Sequence, residues 1–136
     1  MLRYVVRDLP LESIHKEAFK AAEATHCASD QGKYWEMHGQ LFANQRQLGR
    51  DDLMRHAQAL GLDKRAFEGC LESGKHADAI RKDLAEAQRL QVTGTPTFFI
   101  GVVGPNDSEM KATKLVGAQP YSAFKAVIDR LLAAPK

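Results

Sequence analysis

The fold is decided by the stretch Val92-Thr93-Gly94-Thr95-Pro96-Thr97-Phe98-Phe99-Ile100. Its aromatic and β-branched residues after the proline predict a strand that is buried on both faces. A proline at that point removes one backbone donor from the sheet, so its position needs a structural reason. Local sequence alone favours a trans proline that starts a strand. The alternative is a cis bond, which costs proline only about 0.5–1 kcal/mol and exposes the backbone of the preceding residue.

The rest of the chain predicts a mixture of helices and strands. A short strand over residues 2–9 is expected to end at Pro10, and Ser13 is a predicted N-cap. Helical periodicity and caps then predict five amphipathic helices. A turn at residues 104–107, a strand at residues 112–116 and a helix beginning at Pro120 predict a hairpin and a closing helix. We therefore expect an α/β fold in a single domain over residues 1–136, with a helical insert at about 13–91 and the hairpin and closing helix at about 92–134.

Composition excludes several classes of protein. The chain has 136 residues, 44% of them hydrophobic and 26% charged, which is ordinary for a globular domain with its own core. The net charge is +2 and the basic residues are scattered among acids, so we expect no nucleic-acid partner. No apolar run approaches the ~18 residues of a membrane helix, and the first residues do not form a signal-peptide pattern. We expect no membrane insertion.

The two cysteines, Cys27 and Cys70, fall late in two predicted amphipathic helices. From the residues alone they are buried free thiols, a structural disulfide or a redox pair, and buried thiols are the commonest outcome. None of the histidines forms a short zinc-ligand spacing with another histidine or a cysteine, so we predict no metal site and no cofactor. The aromatic cluster of Tyr34, Trp35 and Phe42 is assigned to the core in preference to a peptide groove.

The motif from Gly94 to Phe98, followed by a hairpin and a final helix, resembles the second half of the thioredoxin fold. The upstream segments resemble the helical insert of DsbA-like thiol:disulfide oxidoreductases. The matching segments are residues 3–11, 21–28, 31–38, 60–63 and 67–71. The resemblance covers nearly the whole chain. It implies a thioredoxin-like fold with a large helical insert.

The resemblance also implies roles for particular residues. Pro96 would be a cis-proline, and the backbone of Thr95 would pair with an extended protein or peptide substrate. A structural disulfide between Cys27 and Cys70 becomes the favoured state, because the family works in oxidising compartments. The resemblance implies a periplasmic or other extracytoplasmic location, although the chain shows no signal peptide.

The sequence departs from the family in one respect, because it contains no Cys-x-x-Cys. We therefore expect the chain to be truncated at the N-terminus, without the first central strand and the active-site helix. No catalytic residue can be assigned, and we expect the chain alone to be inactive. The predicted function is the C-terminal part of a protein disulfide oxidoreductase. A non-catalytic peptide-binding or structural module is the alternative, and exposed sheet edges would favour a homodimer.

Overall fold

The computed structural model describes residues 2–104 and 110–134. The chain divides into two compact units, Met1–Leu90 and Gln91–Lys136, and each is described by itself. Together the described residues form a mixed α/β fold of six helices and a two-stranded sheet. None of the helices in the described ranges has the length and apolar character needed to cross a membrane.

The first unit is helical, and the five predicted helices are all present. They are α1 (Ala18–Ser29), α2 (Tyr34–Ala43), α3 (Arg50–Ala59), α4 (Lys64–Ser73) and α5 (Ala77–Arg89). The ends of α4 illustrate why helices form where they do. At its start, the Asp63 carboxylate accepts a hydrogen bond from the Ala66 N–H at 2.7 Å. At its end, Gly74 adopts the left-handed conformation with φ 65°, which glycine adopts without steric cost.

Helix α1 is the centre of this unit, because it packs against each of the other four helices. Small side chains on α1, among them Ala24 and Ala28, allow the close approach of its neighbours and are fully buried. The largest fully buried side chains are Phe67, Met37 and Leu53, one from each of α4, α2 and α3. Burying side chains of this size contributes about 1.5–3 kcal/mol each. The apolar core thus joins α2, α3 and α4 to α1.

The predicted strand over residues 2–9 is wrong, because the segment is irregular and pairs with no described strand. Tyr4 and Val5 are largely exposed, so the apolar residues that predicted a strand are not covered by a sheet. The predicted N-cap at Ser13 is also wrong, because α1 begins only at Ala18. Ser13 lies in a turn in which the N–H groups of Ile14 and His15 donate to the Leu11 carbonyl. A short apolar run predicts a strand only where a partner strand is available.

The second unit consists of a hairpin and a helix. Strands β1 (Thr97–Val103) and β2 (Met110–Val116) pair antiparallel, with Thr97 opposite Val116, and helix α6 spans Tyr121–Ala133. Pro120 is the N-cap residue of α6 and has an extended backbone, with φ −65° and ψ 155°. Most of the predicted turn at 104–107 lies outside the described residues. The hairpin is fixed to α6 by an edge-to-face contact of Phe98 with Phe124, whose ring centroids are 4.8 Å apart.

The sequence predicted that strand β1 is buried on both faces, and this prediction is wrong. Phe99, Val102 and Val103 are all more than one third exposed, whereas Phe98 is partly buried. The physical reason is that a two-stranded sheet has one face against α6, and Phe99 and Val103 lie on the opposite face. Val102 shares the face of Phe98 but lies near the end of the strand. An all-apolar strand sequence therefore does not by itself reveal which face is covered.

Replacing Gly101 by alanine should destabilise the hairpin. A Cβ at this position would clash with the Lys111 carbonyl oxygen and lie 3.1 Å from the Ala112 Cα, and backbone atoms in a ladder have little room to move. We expect a loss of about 1–3 kcal/mol, measured as reduced hydrogen-exchange protection of β1 and β2 amides.

The matched control is Gly39→Ala on α2, where a Cβ would meet nothing within 4 Å. This change should raise stability by about 0.5–1 kcal/mol because alanine favours the helix. Equal protection of the hairpin in the wild type and in Gly101→Ala would contradict the prediction.

Candidate functional site

The loop that precedes β1 holds the residues that the sequence assigned to substrate docking. The peptide bond between Thr95 and Pro96 is cis, and both residues are exposed. Three hydrogen bonds hold the loop from its flanks. The Thr97 hydroxyl donates to the Gly94 carbonyl at 2.8 Å, the Gly117 N–H donates to the Pro96 carbonyl at 2.8 Å, and Lys114 Nζ donates to the Gln91 carbonyl at 2.8 Å.

Thr95 itself is left with an available backbone. Within residues 2–104 and 110–134, neither its N–H nor its carbonyl forms a hydrogen bond. An exposed N–H and carbonyl on one residue are the groups that an extended peptide pairs with when it adds to a sheet edge. The hydrogen-bonded flanks hold this pair of groups in place.

A disulfide joins Cys27 on α1 to Cys70 on α4, with the Cα atoms 5.8 Å apart. Cys27 is buried in the core and Cys70 is partly exposed, and both residues line a depression of the surface. Residues Gln31, Ala66, Gly69 and Ser73 complete the rim of this depression. The link connects two helices that also pack against each other, so it reinforces an existing contact.

Beside the disulfide lies a cluster of charged and titratable groups centred on Asp30. One oxygen of its carboxylate, Oδ2, lies 2.7 Å from Lys75 Nζ, 2.9 Å from His76 Nε2 and 3.7 Å from Cys70 Sγ. Hydrogen bonds from Lys75 and then His76 lower the pKa of Asp30, because both donors favour the charged carboxylate. Asp30 is therefore an anion held directly against the partly exposed sulfur.

The predicted absence of a metal site rested on sequence spacing, which does not show which side chains meet in the folded chain. Ligand atoms of Cys27, Cys70 and His76 all lie within 4.8 Å of one another. His76 directly precedes α5, and no short motif in the sequence connects it to either cysteine. The only usable signal would have been the shared late position of both cysteines in their helices, which indicates that they can meet. It gives no indication of His76.

A second polar network anchors the N-terminal segment to the helices. His26 Nε2 lies 2.6 Å from Asp8 Oδ2, the Asp8 N–H donates to Asp83 Oδ2 at 2.9 Å, and Arg7 pairs with Asp83 at 3.2 Å. The hydrogen bond to Asp8 is the main reason why the pKa of His26 is raised, and burial opposes it. This network holds the segment that was predicted to be a strand.

The aromatic residues of α2 are only partly in the core, so their assignment to it was wrong for two of them. Trp35 is 53% exposed and Phe42 is 65% exposed, whereas the neighbouring Met37 is fully buried. Tyr4 stacks on Trp35 with ring centroids 5.8 Å apart. Helical spacing placed these side chains on α2 correctly, but a ten-residue helix buries only the stripe that faces α1.

A thioredoxin-like class is indicated by a hairpin, a closing helix and a cis-proline directly before the first hairpin strand. Comparison with known families identifies the class further. Residues 5–129 match the family described as DSBA-like thioredoxin domain. The chain belongs to this family. The predicted family and fold class are thereby confirmed.

The similar curated proteins are named as Na⁺/H⁺ antiporters rather than as disulfide oxidoreductases. The chain is 44% identical over 99 residues to Na⁺/H⁺ antiporter NhaA 3 of Salinispora tropica, covering 73% of this chain and 15% of that protein. It is 40% identical over 101 residues to NhaA 1 of Mycobacterium sp. strain KMS, covering 73% and 16%. The NhaA of Herminiimonas arsenicoxydans is 38% identical over 99 residues, with 73% and 16% covered.

The chain thus spans less than one fifth of the length of the curated relatives that it matches. No solved structure matches it significantly.

Removing the disulfide should lower the stability of the helical unit. In the chain-entropy model, a cross-link between residues 43 apart in sequence contributes about 3–4 kcal/mol. The Cys27→Ala/Cys70→Ala variant should therefore unfold at lower denaturant concentration, measured by helix circular dichroism in buffer containing EDTA. Wild-type protein treated with a reductant serves as the control and should behave similarly. Equal midpoints for oxidised wild type and variant would refute the prediction.

Protonation of His26 should strengthen the attachment of the N-terminal segment. Since its pKa is raised in the folded state, the stabilisation is complete below the unfolded value of about 6.5. It is lost as the pH rises through the folded pKa. Titration of the His26 ring by NMR should give a pKa above that of a free histidine, and Asp8→Asn should lower it.

Asp83, Asp30 and the His76 ring also face His26, so a matched acid is needed as control. Asp78→Asn removes an exposed carboxylate from α5 and should leave the His26 pKa unchanged. If Asp8→Asn has no larger effect than Asp78→Asn, the contact with Asp8 does not control the titration.

Proposed function

We propose that this chain supplies the substrate-docking part of a protein thiol:disulfide oxidoreductase. In this role the Thr95–Pro96 loop binds an extended segment of a protein substrate, and the helical unit forms the insert that accompanies it. The observation that carries the proposal is the exposed backbone of Thr95, which has no hydrogen-bond partner among the described residues, in a loop held on both sides. Membership of the DSBA-like family supports it.

The docking step follows from backbone hydrogen bonding. An extended peptide would accept a hydrogen bond from the Thr95 N–H and donate one to its carbonyl, which adds a short strand-like pair next to β1. Such pairing depends little on the side chains of the substrate. It suits an enzyme that must accept many unfolded proteins. Each hydrogen bond would contribute about 0.5–1.5 kcal/mol to binding.

Disulfide exchange itself would require a reactive thiolate close to the docked peptide. The sequence offers only Cys27 and Cys70, which are joined to each other on two packed helices. We assign this pair a structural role in the proposed function. The redox cysteines would have to come from polypeptide outside the present sequence, at the start of a helix that lowers the pKa of the first thiol.

The second candidate function is a binding module without redox chemistry. Two observations favour it: the sequence contains no Cys-x-x-Cys, and the similar curated proteins are named as Na⁺/H⁺ antiporters rather than oxidoreductases. In this case the Thr95–Pro96 loop would bind an extended peptide of a partner protein. Both candidates use the same loop, so they differ only in the chemistry that follows docking.

Association of two chains is a further part of the proposal. Each strand of the hairpin has one edge that pairs with no described strand, and such edges can pair with those of a second copy. Light scattering across a concentration series should then show a dimer. A mass of one chain at all concentrations would exclude this arrangement.

The docking step can be tested by removing one backbone donor. Thr95→Pro eliminates the N–H, whereas Thr95→Ala keeps it and removes only the hydroxyl and methyl groups. With S-carboxymethylated insulin B chain as the extended peptide, Thr95→Pro should bind about 2- to 10-fold more weakly than wild type. Thr95→Ala should bind like wild type, and NMR shifts of β1 and β2 amides verify that each variant is folded.

The amide spectrum of the wild type provides a second measurement that does not depend on a variant. Adding the peptide should shift the Thr95 amide and its neighbours in the loop before other signals. If the largest shifts occur elsewhere, or if Thr95→Ala weakens binding as much as Thr95→Pro, backbone docking at this loop is refuted.

The two candidate functions can be separated by assaying redox activity. Insulin reduction and oxidative refolding of a reduced protein should be measured with this chain and with a version that carries the upstream genomic segment. Activity only in the longer version supports the oxidoreductase. Peptide binding without activity in either version supports the binding module. If neither version binds nor reacts, both candidates are wrong.

A further inference from the structure

The cluster around the disulfide contains more metal-binding atoms than a structural cross-link requires. Ligand atoms of Cys27, Cys70 and His76 lie within 4.8 Å of one another. An oxygen of Asp30 lies 2.9 Å from His76 Nε2 and 3.7 Å from Cys70 Sγ. In a tetrahedral zinc site, bonds of about 2.0–2.3 Å put neighbouring ligand atoms about 3.3–3.8 Å apart. The Asp30 oxygen is therefore near this spacing from His76 and Cys70, whereas the two sulfurs, which are bonded to each other, must first separate.

We propose that Cys27, Cys70, His76 and Asp30 form a Zn²⁺ site that becomes available when the disulfide is reduced. Two thiolates, one imidazole and one carboxylate form a ligand set of the kinds that zinc prefers. In the oxidised chain the sulfurs are bonded to each other and are poor ligands. The same pair of cysteines thus has two states, a disulfide or a zinc dithiolate.

The conversion requires a reductant, which we take to be a dithiol. Its two thiols reduce the Cys27–Cys70 bond by two electrons and transfer two protons, giving two cysteine thiols and an oxidised dithiol. Zn²⁺ then displaces one proton from each cysteine thiol and binds the two sulfurs. Binding therefore releases two protons per zinc ion, while His76 binds as a neutral imidazole.

The charges of the cluster suit a divalent cation. Two thiolates and the Asp30 carboxylate carry three negative charges, which Zn²⁺ and the neighbouring Lys75 ammonium balance completely. Without a cation, the two thiolates and the carboxylate would repel one another in a partly buried place. The two cysteines of the reduced chain can therefore lose their protons together when a metal ion balances the charge.

Access and space are also suitable. Cys70 and Asp30 border the depression at the surface, so an ion can reach them from solvent. The Cα atoms of the two cysteines are 5.8 Å apart, and rotation of their side chains can separate the sulfurs without moving α1 from α4. His76 is partly exposed and its ring lies next to Asp30, which fixes its orientation.

Zinc in this site would preserve the connection between α1 and α4 under reducing conditions. The reduced protein would lose the covalent link but gain a metal link between the same two helices. A reduced sample with zinc should consequently unfold at a temperature close to that of the oxidised protein. A reduced sample without metal should unfold at a lower temperature.

The test uses the reduced chain and two metal probes. The disulfide is reduced with a phosphine, the phosphine is removed under argon, and Zn²⁺ is titrated against a chromophoric chelator. Co²⁺ is added in a parallel sample, because tetrahedral cobalt bound to thiolate gives charge-transfer and visible d–d bands. We expect one zinc ion and two released protons per reduced chain, and no thiolate–cobalt band from the oxidised chain.

Variants identify the ligands. His76→Gln and Asp30→Asn should each weaken zinc binding by at least about tenfold, the smallest loss that even an outer partner of a ligand causes. The matched control His15→Gln changes an exposed histidine outside the cluster and should bind zinc like wild type. Circular dichroism of each reduced variant verifies that its helices remain.

Several outcomes would overturn the proposal. A reduced wild-type chain that binds no zinc excludes the site, and so does equal binding by oxidised and reduced chains, because the thiolates would then not be ligands. His76→Gln with unchanged affinity removes His76 from the ligand set. A disulfide that resists the phosphine in the folded chain also refutes the proposal, since the site could then never form. If the reduced chain unfolds, failure of Zn²⁺ to restore its helices counts against it equally.

Discussion

The connection between α1 and α4 is the constraint on which the helical unit depends. Helix α1 touches every other helix of that unit, and the disulfide from Cys27 fixes it to the helix that contributes Phe67 to the core. Apolar packing and a covalent bond thus act at the same contact. This arrangement also positions Asp30, at the end of α1, beside Cys70 and His76, so the charged cluster is a consequence of how the two helices meet.

The second unit must stabilise a hairpin of only two strands. A hairpin of two strands has little apolar area of its own, and α6 covers one face of it through contacts such as Phe98 with Phe124. Because the loop before β1 is fixed by hydrogen bonds from Thr97 and Gly117, the exposed backbone of Thr95 has a defined position. Hydrogen-bonded flanks thus surround a residue whose backbone has no partner among the described residues.

The sequence predicted the helices, the hairpin and the family because those depend on local periodicity, caps and one specific motif around Pro96. It failed at residues 2–9, where strand propensity was present but no described strand provides a partner. It also failed for Trp35 and Phe42, since periodicity indicates a helix face but does not say how wide the covered stripe is. The His76–Asp30 cluster was invisible because its members meet only through tertiary packing.

The two bonded cysteines differ in exposure, and this difference affects how the disulfide can be opened. A thiolate must approach a disulfide along the S–S axis, and Cys70 is partly exposed as a residue, whereas Cys27 is buried. Attack at Cys70 would leave the mixed disulfide on α4 and release the Cys27 thiol inside the protein. Cys27 would then be the group positioned to expel the attacking molecule and reform the bond. The fold therefore favours attack on the Cys70 side of the disulfide. It also keeps the Cys27 thiol, which would reform the bond, in the core, where small oxidants reach it least.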